Sequence, residues 1–294
     1  MKNYESTIGA DEEIDHDRLK DLVYNSLSAE FASVRDGKPA VYPVVPYYDH
    51  EQEIIAVTSP PAYAGKIENV RHNSRVALLL HDDGGEYLVI GDGQIRDIDL
   101  DASAEKNLIR NEPETPKRGA VEEGVKFYES RLGQLLFGWY ALRLVVDITP
   151  RSMVRLGDRT SIAESSNWEA ADMDADEANT YERTVLSIVG EDGYPLIEPF
   201  TSLTIDGDGA TLDSELTASV DDEQFACLLL HFQSENGNRN GQRVIRGRIL
   251  HRDGSSIFVP GSSYAFKLDG VLDFFRFMLD GRRRTKAYFR KNPR

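Results

Sequence analysis

Apolar and polar positions alternate over short stretches along most of this chain, and Gly, Pro and Asp break the alternation at close intervals. That is the pattern of strands separated by tight turns. Glu30–Arg35 predicts a strand, Asp36-Gly37 a hairpin turn, and Val41–Tyr48 the partner strand. Glu53–Thr58 predicts a third strand, Val76–His81 a buried apolar one, and Leu142–Ile148 another. Glu86–Ile98 reads as a long strand whose Gly91 and Gly93 suit a bulge or a barrel bend. Helical spacing is rarer. It predicts helices over Asp15–Leu27, over Ala120–Phe137 (Val125, Tyr128, Leu132, Leu135 and Leu136), and over Val271–Leu279.

The strand pattern occurs twice. Asp36-Gly37-Lys38-Pro39 with Pro43 recurs as Asp192-Gly193-Tyr194-Pro195 with Pro199. Ala77-Leu78-Leu79-Leu80-His81 recurs as Cys227-Leu228-Leu229-Leu230-His231, and Val89-Ile90 with Gly93 and Ile95 recurs near Val244-Ile245 with Gly247 and Ile249. Ordered matches of this kind mark two copies of one β-rich unit. The expected fold is mainly β with peripheral helices: two tandem split β-barrels forming an internal pseudo-dimer. Residues 1–160 form the first unit and 179–294 the second. Residues 161–178, acidic and without a basic side chain, form an exposed connector that Trp168 pins to a domain face.

Composition narrows the function. The 294 residues carry 50 acidic and 34 basic side chains, a net charge of −16, with only 10 Lys among the basic ones. An acidic surface repels a polyanion, so nucleic acid is not the expected partner. At molar salt the Debye length falls to ~3 Å, and this balance points to a high-salt, haloarchaeal setting. No apolar run approaches ~18 residues and the opening stretch lacks a secretory apolar core, which predicts a cytoplasmic protein without a membrane span. The single cysteine, Cys227, excludes an internal disulfide and a multi-cysteine metal site.

The stretch from Thr58 to Val76 carries the candidate chemistry. It leaves a strand, turns at Pro60-Pro61, and gathers Lys66, Asn69, Arg71, His72 and Arg75 beside the hydroxyls of Thr58 and Ser59. Charge-assisted donors at a helix start suit a phosphate; a solvated basic face is the competing reading. No G-x-S-x-G, H-E-x-x-H or P-loop is present. His81 and His231 close equivalent apolar strands, which favours a structural role for both over catalysis or haem ligation.

Taken together, EFASVRDGKPAVYPVVPYY, IIAVTS, KIENVRHNSRVALLLHDD and EYLVIGDGQIRDID resemble the FMN-binding split-barrel family, the pyridoxamine 5′-phosphate oxidase-like flavoproteins. The resemblance covers about Leu19–Ile98. It implies that Lys66 is the main ligand of the flavin phosphate, that Thr58 and Ser59 add hydroxyls, and that Arg71 and Asn69 complete the segment. It further implies that Tyr42, Pro43, Val44 and Val45 lie along the flavin ring. Family members pair as homodimers with flavin at the interface, so fused copies supply that interface internally, as a monomeric pseudo-dimer or a further homodimer.

The second copy is shorter between Pro199 and His231 than the first between Pro43 and His81, and no Lys or Arg occurs from Thr184 to Asn238. One flavin site is therefore expected, in the first barrel and closed by the second. The implied activity is oxidoreduction of an unidentified small molecule with FMN. The alternatives are a deazaflavin coenzyme, non-catalytic flavin or haem binding, and a degenerate barrel that serves as an interaction module. The stretch Arg282–Arg294, with seven positive charges and no acid, does not match the substrate-binding end of true pyridoxamine phosphate oxidases. Docking on the chain's own acidic surface is its favoured role.

Overall fold

The computed structural model describes residues 14–292 except 83, 97–101, 158–167, 179, 200–202, 208, 213, 215, 218–219, 234–239, 253 and 269. Ile98, Asn238 and Arg294, which figure in the sequence reading, lie outside the described residues.

Helix α1 (His16–Asn25) opens the described chain, its first turn closed by Asp15, whose carboxylate accepts from the Arg18 N–H at 2.9 Å. The first unit then contains β1 (Ala29–Arg35), β2 (Lys38–Val44), β3 (Pro46–Asp49), β4 (Ile54–Ser59), a short α2 (Gly65–Glu68), β5 (Arg75–Asp82) and β6 (Gly85–Ile95). Three helices follow, α3 (Ala104–Arg110), α4 (Pro116–Glu129) and α5 (Arg131–Ala141), before β7 (Leu144–Gly157). After a short α6 (Ala175–Ala178), the second unit contains β8 (Arg183–Val189), β9 (Pro195–Pro199), β10 (Leu203–Asp206), β11 (Gly209–Leu212), β12 (Gln224–Gln233), β13 (Asn240–Arg252) and β14 (Ser255–Leu268). Helix α7 (Val271–Lys291) ends the described chain.

Two tandem split barrels result. The first seven-stranded sheet runs β2-β1-β5-β6-β7-β4-β3, and the second, taken from its other edge, runs β9-β8-β12-β13-β14-β11-β10. These orders coincide strand for strand when β8 to β14 stand for β1 to β7. The bend is repeated as well: a register shift at Ile90/Gly91 in the first sheet matches one at Arg246/Gly247 in the second. A Cβ on Gly91 or Gly247 would run into the carbonyl oxygen of Thr149 or Val259, so both bends need glycine.

The uninterrupted apolar stretch of β5 is explained by burial on both faces. Val76, Leu78 and Leu80 fill the first barrel with Phe31 and Val89. Ala77 and Leu79 face the other way, with Ala32, Val41 and Ile90, into a core shared with Leu186, Ile197, Cys227 and Leu229 of the second unit. The halves are thus joined by a continuous apolar core, and Cys227, wholly buried there, has its thiol pushed up to about 11 by desolvation.

Several predicted elements are redrawn. The single helix over Ala120–Phe137 is two, because Ser130 adopts an extended backbone that ends α4 and lets its hydroxyl accept from the Gly133 N–H at 2.9 Å to start α5. The strand over Val41–Tyr48 breaks at Val45. In the described part of the connector, Glu169, Asp172, Asp174 and Asp176 are exposed, while Trp168 is fully buried against Phe258 and Glu177 holds the guanidinium of Arg243 at 2.6 Å. The helix over Val271–Leu279 continues to Lys291 and includes most of the basic segment. Among the described residues no helix is long and apolar enough to cross a membrane.

Candidate functional site

A cleft of about 1300 Å³ opens between the units, walled by residues of both. The first unit supplies the end of β2 and the following residue, Tyr42 to Val45, together with Thr58 at the end of β4 and Lys66 in α2. The second unit supplies His231 and Phe232 from β12, Gln242, Val244 and Arg246 along β13, and Tyr264 and Phe266 from β14. Helices α4, α5 and α7 close the remaining side.

Lys66 is the electrostatic centre of the first unit's wall. Its ammonium donates to the Pro43 carbonyl at 3.3 Å and has no carboxylate partner among the described residues. Desolvation, with the nearby Arg143 adding to it, brings its pKa down to about 8. A half-buried cation without a counter-charge is a receptor for an anion. Thr58 lines the same cleft, its hydroxyl donating to Glu105 at 3.2 Å. Arg143, buried just ahead of β7, grips the same Glu105 through Nε at 2.8 Å and Nη2 at 2.9 Å.

Of the residues singled out in the sequence, Tyr42, Pro43, Val44, Val45, Thr58 and Lys66 therefore meet on one cleft. Ser59, Asn69 and Arg71 do not line it. The Ser59 hydroxyl is buried and donates to the Tyr63 carbonyl at 3.1 Å, closing the turn after β4. Asn69 donates to the Ser33 hydroxyl at 3.2 Å, and Arg71 pairs with Glu68 at 3.0 Å. Their partners are the turn, β1 and α2, so these side chains brace the Lys66 segment.

The second unit supplies the opposite wall of the cleft. Arg246 donates to the Tyr42 hydroxyl at 2.8 Å. His231 is buried, with Nε2 2.8 Å from Glu30 and Nδ1 without a hydrogen-bond partner. Glu30 has no exposure; burial would raise its pKa, but Arg183 and His231 outweigh that and hold it well below the usual carboxylate range. The corresponding place in the second unit is filled by its own chain. Glu198, which pairs across from Leu186 as Tyr42 does from Phe31, is buried and accepts from the Leu216 N–H and the Ser214 hydroxyl.

The basic C-terminal helix packs on the first unit. Arg282 donates to the Leu135 carbonyl, the Tyr288 hydroxyl donates to Glu68 at 3.0 Å, and Gly281 lies flush against the Trp139 ring. The cleft residues that sequence reasoning missed are Arg143, Glu105, Arg246 and the rings of α7. A signal existed for Arg143, which interrupts an otherwise apolar strand start. Arg246 had none, because strand pairing makes it the counterpart of Ile90, one residue beyond the sequence match of Ile90 with Ile245.

No protein-family model matches the chain, and no curated protein matches it. Among solved structures, it is similar to a FAD-binding protein from Mesorhizobium loti at 19% identity, covering 48% of this chain and 91% of that one, with a TM-score of 0.32. It is also similar to the general stress protein 26 of Bacillus anthracis (16% identity, 48% and 98% covered, TM-score 0.31). A third is a Clostridium acetobutylicum protein related to general stress protein 26, of the pyridoxinephosphate oxidase family (12% identity, 49% and 92% covered, TM-score 0.31).

Proposed function

We infer that the cleft binds one FMN and that the protein is a flavin-dependent oxidoreductase acting on a small molecule. The observation that carries this reading is Lys66, a half-buried ammonium with no carboxylate partner among the described residues, on the cleft that Thr58 and the Tyr42–Val45 segment also line. That donor set fits a phosphorylated planar ring. Lys66 holds the phosphate, with Thr58 turning its hydroxyl from Glu105 to the anion while Arg143 stays paired with Glu105. Tyr42 to Val45 supply a flat apolar edge for the ring, and Arg246 of the second unit orients the Tyr42 hydroxyl. The bound flavin supplies hydride transfer, and the protein contributes orientation, electrostatics and exclusion of water.

The test is an absorbance scan of the purified chain in molar KCl, followed by titration of the colourless fraction with FMN. About one FMN per chain, lost in Lys66→Ala, supports the reading. Full occupancy in Lys66→Ala overturns the phosphate assignment, and a chain that stays colourless with added FMN overturns the cofactor.

A further inference from the structure

The cleft exceeds the needs of one ligand. A drug-sized molecule occupies a pocket of roughly 300–1,000 Å³, against the ≈ 1300 Å³ found here. The space beyond Tyr42 has a wall of its own, one face of the β13–β14 ribbon. Gln242, Val244 and Arg246 alternate along β13, opposite Phe266, Tyr264 and Ser262 of β14, so they share that face.

One end of the face is aromatic. Tyr63 and Phe277 stack at 6.3 Å with 7° between their planes, and Phe266 stands edge-on to them at 6.2 and 5.6 Å. The three rings come from three separate elements, line the cleft, and are half-buried, so they still offer open ring surface to it. The other end is cationic. Arg246 has the Tyr42 hydroxyl as its hydrogen-bond partner and no carboxylate among the described residues. The nearby Arg284 differs, since Asp280 neutralises it at 2.5 Å while it lies over the Tyr63 and Tyr264 rings. Four strand steps of ~3.3 Å put the Phe266 and Arg246 levels about 13 Å apart along the ribbon. A fused two-ring acid and an arginine side chain fill that span together.

We propose that this part of the cleft binds a planar aromatic acid as the substrate, its rings against Tyr63, Phe266 and Phe277 and its acidic group on Arg246. Calling the ligand a substrate rests on the flavin reading; the binding site itself stands on the rings and on a guanidinium with no carboxylate partner among the described residues. Selectivity follows from the two ends acting jointly. A small acid without rings meets a chain of net charge −16 with little to hold it. A neutral ring leaves Arg246 without its charge-assisted partner.

The experiment is calorimetric titration of the full chain, with and without saturating FMN, using 2-naphthoate and the neutral naphthalene-2-carboxamide as probes. One naphthoate per chain is expected in the presence of FMN, with the carboxamide about tenfold weaker. Arg246→Gln should weaken naphthoate about tenfold and leave the carboxamide unchanged, and Phe266→Ala should weaken both. Unchanged naphthoate affinity in Arg246→Gln overturns the proposal, as does competition between naphthoate and FMN. Naphthoate held by Arg246 in a chain that refuses FMN leaves the site standing and removes the flavin reading. FMN bound with no naphthoate uptake does the reverse.

Discussion

Arg183 of the second unit lies against Glu30 of the first, a contact between residues 153 positions apart, with Nη2 3.2 Å from Oε2. The same guanidinium takes Glu86 at 2.7 Å, and His231 Nε2 lies 2.8 Å from Glu30 Oε1. Around this cluster the two barrels share an apolar core. The polar cluster thus fixes which surface of one unit meets which surface of the other, and with it the shape of the cleft that His231 lines.

Removing the cation alone should be severe. Arg183→Met leaves the Glu30 carboxylate buried with its main counter-charge gone, which for a buried pair costs about 3–5 kcal/mol. The double change Arg183→Met with Glu30→Gln removes one of the two stranded charges, Glu86 keeping the other, and should recover part of that loss. Urea unfolding in molar KCl measures both. Equal destabilisation of the single and double variants would show that Glu30 is not held by Arg183.

Acid should loosen the same joint. The Glu30 carboxyl titrates lower in the folded chain than in the unfolded one, because Arg183 and His231 favour its charged form beyond the opposing desolvation. Its contribution is fully present above the unfolded value of about 4.3 and is lost as pH falls toward the depressed folded value. The melting temperature should fall below pH ~4 more steeply in the natural chain than in Glu30→Gln, which lacks that titration. Parallel curves for the two would contradict the assignment.

Much of this fold is legible in the sequence because tandem repetition doubles the evidence. The D-G turn, the Leu-Leu-Leu-His strand and the glycine bend each occur twice, and local pattern and topology agree in both copies. The strand bearing Tyr42 to Val45 and the Lys66 segment were readable for the same reason: they follow turns that the sequence marks plainly. Ser59, Asn69 and Arg71 were not separable from Lys66, since adjacent residues on a short turn point in different directions and only partners decide which face the cleft. The α4–α5 break depends on one serine's backbone angles. The aromatic wall joins Tyr63, Phe266 and Phe277 over more than 200 positions, a juxtaposition no local pattern records.

Helix α7 should be removable from the first unit by a single side chain. Gly281 has no room for a Cβ, because the Trp139 ring lies where that atom would be placed. Gly281→Val should overpack the contact at a cost of about 1–3 kcal/mol. It should also shift Trp139 emission to the red and expose the helix to protease. The apolar face that holds the helix, with Phe137 5.4 Å from Phe274 and Trp139 5.3 Å from Phe277, would then open to water. Wild-type emission and protease resistance in Gly281→Val would mean that the helix does not depend on this seat.

The strongest pH signature should belong to Lys66. Burial in the cleft, with Arg143 close by, lowers its pKa to about 8, so the free protein begins to lose this charge just above neutrality. A bound phosphate favours the ammonium and raises that value, so proton and anion bind cooperatively. FMN affinity should therefore hold level between pH ~6, where the phosphate gains its second charge, and pH 8. Above pH 8 it should fall, by up to about tenfold per unit, until the pKa of the complex is reached. Lys66→Arg keeps a cation at all these pH values and should flatten the fall. Lys66→Gln should bind FMN about 10–100-fold more weakly, the worth of one charge-assisted contact, with little pH dependence across the range. Titration of FMN by fluorescence quenching from pH 6.5 to 9.5 distinguishes the three proteins. A fall above pH 8 that persists in Lys66→Gln would assign the titration to another group and remove Lys66 from the phosphate site.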